Sequence, residues 1–126
     1  MDHDVIVIGA GAAGLGAART ARWAGADVLM VSDGPPGGDC TFTGCVPSKT
    51  LLAAARDGLG FDEALDRVKA AVETIAATET AEVLRRSGIE TLDGRARLVT
   101  HDSVAVGDRR FSAPRIIVAT GSRPAV

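Results

Sequence analysis

Three glycines, Gly9, Gly11 and Gly14, separate a β-branched run, DVIVI at residues 4–8, from an alanine-rich stretch over 12–25 that closes at Gly25. No other feature narrows the fold as much. The run is apolar on both faces and stops at glycine, the pattern of a strand buried in a parallel sheet. A second such run, ADVLMVS at 26–32, follows the helical stretch. Strand, helix and strand make a βαβ unit of about thirty residues, the right-handed crossover of a doubly wound sheet. Within G-x-G-x-x-G, Gly9 permits the tight turn, Gly11 lets the backbone approach a pyrophosphate, and Gly14 lets the helix pack close to the sheet. The helix N-terminus then faces the anion. In a unit of this length the motif reads as dinucleotide binding rather than as a structural turn alone. A ribose-binding acid belongs about twenty residues on, at the end of the second strand. Ser32 stands there, and Asp33 follows it.

The chain's two cysteines, Cys40 and Cys45, lie in GGDCTFTGCVPSK at 37–49. Five residues along a regular helix rise about 7.5 Å, which places Cα atoms roughly 8–9 Å apart. A disulfide needs about 4.4–6.8 Å. The pair therefore bonds only where the backbone bends, and Gly44 and Pro47 permit or force a bend. Such a bond is strained and reducible, which suits turnover better than stapling. The other reading keeps both thiols reduced and buried in a nucleotide-binding module with no redox role.

Further along, DGPPGG breaks the pattern with a loop, and KTLLAAAR extends a helix from Cys40 to about Arg56. Asp62 reads as the N-cap of a helix running to about Thr78, with Leu65, Val68, Val72 and Ile75 on one stripe. A shorter helix over about 79–86 stops at Ser87-Gly88. IETLDGRARLVT, SVAVGD and RRFSAP then alternate like short antiparallel strands, and RIIVATG at 115–121 has the look of a buried parallel strand. The expected sheet has three parallel strands, near 4–8, 27–32 and 115–119, with the cysteine helix on one face and a 95–112 meander nearby.

At 126 residues the chain is one domain's length, with 46% apolar and 24% charged residues and a net charge of −2. That charge argues against nucleic acid or an anionic membrane as partner. The acidic, glycine-interrupted start does not read as a signal peptide, which is expected to have a basic start and an unbroken apolar segment, and no stretch approaches a membrane span. A cytoplasmic location is expected, where a catalytic disulfide is more usual than a structural one. His3 and His101 are isolated and read as surface residues, so the cysteines lack partners for zinc and no metal site is expected. Ser48 stands where a P-loop needs glycine before its lysine, and no G-x-S-x-G supports a serine hydrolase.

Taken together, GAGAAG at 9–14, the cysteine segment at 37–49 and ATG at 119–121 resemble the N-terminal part of the FAD-dependent pyridine nucleotide–disulfide oxidoreductases. These include dihydrolipoamide dehydrogenase, glutathione reductase and mercuric reductase. The resemblance implies an α/β, Rossmann-like FAD-binding domain with a parallel sheet, helices and a small antiparallel meander, incomplete at 1–126. The NAD(P)-binding and dimerisation domains of such enzymes are expected to be absent, and with them the partner subunit's histidine. By position, Cys45 matches the cysteine against the flavin, Cys40 the one that exchanges with a disulfide substrate, and Lys49 the lysine near the flavin N5 edge. Cofactor contacts are implied for Gly9, Gly11, Ala13, Gly14, Gly38, Asp39, Ala96, Ala119, Thr120 and Gly121, as well as for Cys40, Cys45 and Lys49. Ser32 replaces the usual glutamate for the ribose, leaving Asp33 one residue out to supply the carboxylate, and Asp39 and Phe42 depart from the usual cysteine motif. The implied enzyme is a homodimer that passes electrons from NAD(P)H through FAD to the cysteine pair, then to a small-molecule or protein disulfide. The 126 residues alone are expected to be inactive.

Overall fold

A computed structural model describes residues 1–126. Strand β1 (Val5–Ile8), helix α1 (Ala12–Trp23) and strand β2 (Val28–Ser32) form the expected βαβ unit. Two helical segments follow, α2 (Gly38–Phe42) and α3 (Cys45–Arg56), then α4 (Phe61–Ala77) and α5 (Ala81–Arg86). The remaining strands are β3 (Ile89–Asp93), β4 (Ala96–Thr100), β5 (Ser103–Val106), β6 (Arg109–Ser112) and β7 (Arg115–Val118).

The parallel sheet has four strands rather than three, in the order β3-β2-β1-β7. Val5 pairs with Val28 on one side and with Arg115 on the other, and Val28 pairs with Ile89. Strand β3 escapes sequence reading because it is an edge strand: Ile89 is buried, while Glu90 and Asp93 face solvent. Gly94, with φ +151°, then separates it from the meander. Strand β7 is parallel as expected, but it is also an edge, and Ile117 and Val118 are exposed rather than buried.

Alternation along β1 divides the core in two, since successive side chains of a strand point to opposite faces. Val5 and Val7 join Leu15, Ala18, Val28, Met30, Leu84 and Ile89 beneath α1 and α5. Ile6 and Ile8 join Leu29, Val31, Val104, Val106 and Phe111 beneath the antiparallel sheet β4-β5-β6. Each fully buried aliphatic side chain contributes about 1.5–3 kcal/mol of transfer free energy. The molecule is thus layered as helices, parallel sheet and antiparallel sheet. Helix α3 packs chiefly on α4 and α2, so the cysteine helix belongs to a helical hairpin rather than to a face of the sheet.

Two local details also differ from the sequence reading. Helix α4 begins at Phe61 behind Gly60, which places Asp62 and Glu63 in the first turn, where a carboxylate favours the positive end of the helix dipole. His3 is buried rather than exposed, because its Nε2 lies 2.8 Å from Oε2 of Glu90 and its ring packs near Phe111. This pair ties the N-terminus to β3. Replacing Glu90 by alanine is expected to cost about 1–2 kcal/mol, read as a lower urea midpoint at unchanged slope. Asp2 accepts from the backbone and hydroxyl of Ser112, which hold its carboxyl below the ordinary range. The contribution of that contact is present above about pH 3.9, the unfolded value, and is lost as pH falls through the lower folded one.

Candidate functional site

The strand order reverses at β1: the chain runs to β2 and β3 on one side and returns with β7 on the other. Ligands of open α/β sheets bind at such a switch point, outside the carboxyl ends of the strands. The glycine loop leaves β1 there, and Ala119–Gly121 leave β7 there. The amide of Gly9 donates to the Val31 carbonyl and that of Ala119 to Ile8, each at 2.8 Å. Gly9 has φ +107°, and a side chain on it would collide with the Ala119 carbonyl. A side chain on Gly14 would fall on the Gly9 carbonyl, so this glycine is what lets α1 start against the loop.

The cysteine segment is docked on that loop. The Gly37 amide donates to the Ala10 carbonyl at 2.8 Å, and a Cβ on Gly38 would lie 2.7 Å from the Gly11 Cα. The helix expected from Cys40 to Arg56 is broken at Thr43-Gly44, which leaves Cys40 in α2 and Cys45 as the first residue of α3. A Cβ on Gly44 would stand 2.8 Å from the Asp39 carbonyl, so the break is as tight as a residue without a side chain allows. The thiols are free, Cys40 half-buried and Cys45 exposed. Cys40 is held above the ordinary thiol range, first by its hydrogen bond with the Cys45 thiol, then by desolvation and neighbouring charge. Lys49 is exposed one helical turn beyond Cys45.

An open groove of about 770 Å³ runs along the switch point. It brings together Gly9, Gly11, Ser32, Asp33, Gly38, Asp39, Ala96, Ala119, Thr120 and Gly121. Ala13, Gly14, Cys40, Cys45 and Lys49 stand outside its walls. The Ser32 hydroxyl donates to the Gly34 carbonyl at 2.8 Å, which leaves Asp33 as the exposed carboxylate at that end. Arg95 and Arg123 also line the groove and were not singled out in the sequence, where each is one arginine among many. No group of three or more histidine, cysteine, aspartate or glutamate side chains is placed to hold a metal ion. No helix is long and apolar enough to cross a membrane.

A parallel sheet with a glycine loop at its switch point, faced by an antiparallel sheet and carrying a docked cysteine pair, is a partial Rossmann-like FAD domain. Comparison with known proteins agrees. The family described as pyridine nucleotide-disulphide oxidoreductase matches residues 3–126, and the chain belongs to that family. It is 34% identical to a glutathione reductase of Nostoc sp., an alignment covering 98% of this chain and 30% of that one. It is 30% identical to a mercuric reductase of Staphylococcus aureus, over 99% and 26% of the two chains. A dihydrolipoyl dehydrogenase of Mycoplasma genitalium is 30% identical, over 98% and 31%. Among solved structures, the Cu(II) complex of the HOCl-induced flavoprotein disulfide reductase RclA from Escherichia coli superposes with a TM-score of 0.84 at 26% identity. That match covers all of this chain and 30% of RclA. The chain thus spans about three-tenths of the length of these relatives.

Proposed function

We propose that this chain is the segment of a flavoprotein disulfide reductase that seats the FAD pyrophosphate and carries the redox-active cysteine pair. The observation that supports it best is the docking of the cysteine segment on the glycine loop, through the Gly37 amide and the approach of Gly38 to Gly11. Cofactor seat and dithiol segment are thereby joined directly. The residues fit FAD: Gly9 and Gly11 present backbone to the pyrophosphate, Asp33 offers a carboxylate to the ribose, and Ala96 lies where backbone can meet adenine. When bound, FAD supplies two-electron transfer to the Cys40–Cys45 disulfide.

The chain's own residues then perform thiol–disulfide exchange. Cleavage of the Cys40–Cys45 bond by two electrons and two protons gives the dithiol. The Cys40 sulfur, deprotonated, attacks a substrate disulfide and releases one thiol. Cys45 then attacks Cys40, re-forming the pair and releasing the second thiol. Cys45 stands exposed at the first residue of α3, within reach of Cys40 across the break. NAD(P)H as electron source, a homodimeric assembly and a small-molecule or protein disulfide as acceptor complete the reading for the longer protein of which 1–126 form the N-terminal part.

The test is oxidation of the chain in air followed by intact mass spectrometry. Loss of two hydrogens without dimerisation, reversed readily by dithiothreitol, is the expected outcome. Two thiols that remain unbonded and inaccessible to alkylation would leave a nucleotide-binding module with no redox role.

A further inference from the structure

The junction between α4 and α5 carries a carboxylate that the site as described does not use. Glu79 lies between Thr78, which caps α4, and Thr80, whose hydroxyl caps α5 by accepting from the Val83 amide. The junction is fixed from a third direction, since Nη2 of Arg19 on α1 donates to the Thr78 carbonyl at 3.1 Å. From this anchored position Glu79 reaches back to the cysteine turn. Its Oε2 accepts a 2.9 Å hydrogen bond from the hydroxyl of Thr41, a residue only 3% exposed. The same oxygen stands 2.9 Å from where a Cβ on Gly37 would be. Glu79 therefore bonds α2 at the residue after Cys40 and stands over Gly37, the residue before the helix, where only glycine leaves it room. A half-buried carboxylate aimed at a buried hydroxyl is more than a solvated surface charge.

We propose that Glu79 is a positioning residue of the dithiol site, a carboxylate that fixes the Cys40 turn through Thr41 and sets a negative charge beside that turn. This rests on the dithiol reading above. The physical reason is that a fixed negative charge beside α2 disfavours a second one at Cys40, while Cys45 sits on another helix and faces solvent. Cys40 is held above the ordinary thiol range first by hydrogen bonding to the Cys45 thiol from α3, then by desolvation and the Cys45 charge, with Glu79 from the junction adding a smaller repulsion and the Cys45 backbone acting the other way. The device would make Cys40 the harder of the two thiols to alkylate, half-buried and beside a fixed charge, while Cys45 is exposed.

The experiment is limited alkylation of the reduced 126-residue chain with iodoacetamide between about pH 7 and 10, with Cys40 and Cys45 resolved by peptide mass spectrometry. In the native chain Cys45 is expected to react first. Glu79→Gln keeps an oxygen for the Thr41 hydroxyl but removes the charge, and should raise Cys40 alkylation near neutral pH by about threefold to tenfold. Its profile should move to lower pH while the unfolding midpoint stays within a few degrees. Thr41→Val keeps the charge but releases it from the turn, and should move the Cys40 profile the same way by a smaller amount. Cys40 profiles unchanged in both variants, in a chain that still forms its disulfide, would overturn the role of Glu79 alone. Failure of the native chain to form that disulfide would overturn the dithiol reading and this inference with it.

Discussion

Replacing Gly14 by valine is expected to lower the thermal midpoint of the domain by about 10–20 °C, from a loss of about 3–5 kcal/mol. The cause is covalent geometry rather than propensity. A Cβ at position 14 would occupy the space of the Gly9 carbonyl, while Val7 Cγ1 at 3.6 Å would be in ordinary contact. Backbone cannot move aside as a flexible side chain can, so α1 must lift from β1 and uncover Leu15 and Ala18, both buried against the sheet. Gly16, two residues on in the same helix, provides the control. Nothing lies within 4 Å of a Cβ there, so Gly16→Ala should be neutral or stabilise by about 0.5–1 kcal/mol. Calorimetry on the two variants checks both. A Gly14→Val chain that melts with the native one would mean that the loop does not hold α1 as described.

What could be read from the sequence was what local chemistry decides. Gly9, Gly11 and Gly14 fix strand, turn and helix within a few residues of themselves, and Gly44 marks where a bend can fall, although the single helix read from Cys40 to Arg56 is in fact broken there into α2 and α3. What could not be read depends on partners far along the chain. His3 looked like a surface residue because its partner, Glu90, is 87 residues away. Strand β3 looked like part of the meander because this edge strand fully buries only Ile89, with Leu92 partly buried and Glu90 and Asp93 exposed. The Thr41–Glu79 contact spans 38 residues and joins two segments that no motif links. The cysteine helix lies on α4 and α2 rather than on the sheet, and Leu65 and Ile75 of the stripe read on α4 stay exposed.

Gly11 differs from the other two glycines of the loop, and the account depends on that difference. Its backbone is ordinary, with φ −76°, and a Cβ there would meet only the Gly38 Cα at 3.8 Å. The fold therefore tolerates a side chain at this position. The cradle does not, because a branched side chain fills the gap through which backbone amides reach a pyrophosphate. Gly11→Val is thus expected to retain the native unfolding midpoint within a few degrees and to lose FAD affinity by at least about tenfold, or 1.4 kcal/mol.

Isothermal titration of FAD into the native chain and into Gly11→Val tests the central claim most directly, because it asks whether the glycine loop is a cofactor seat or only a turn. The account predicts saturable one-to-one binding by the native chain, with a Kd on the order of 1–100 μM, and binding at least about tenfold weaker in the variant. Equal affinity in the two chains, or no saturable binding by the native one, would contradict it.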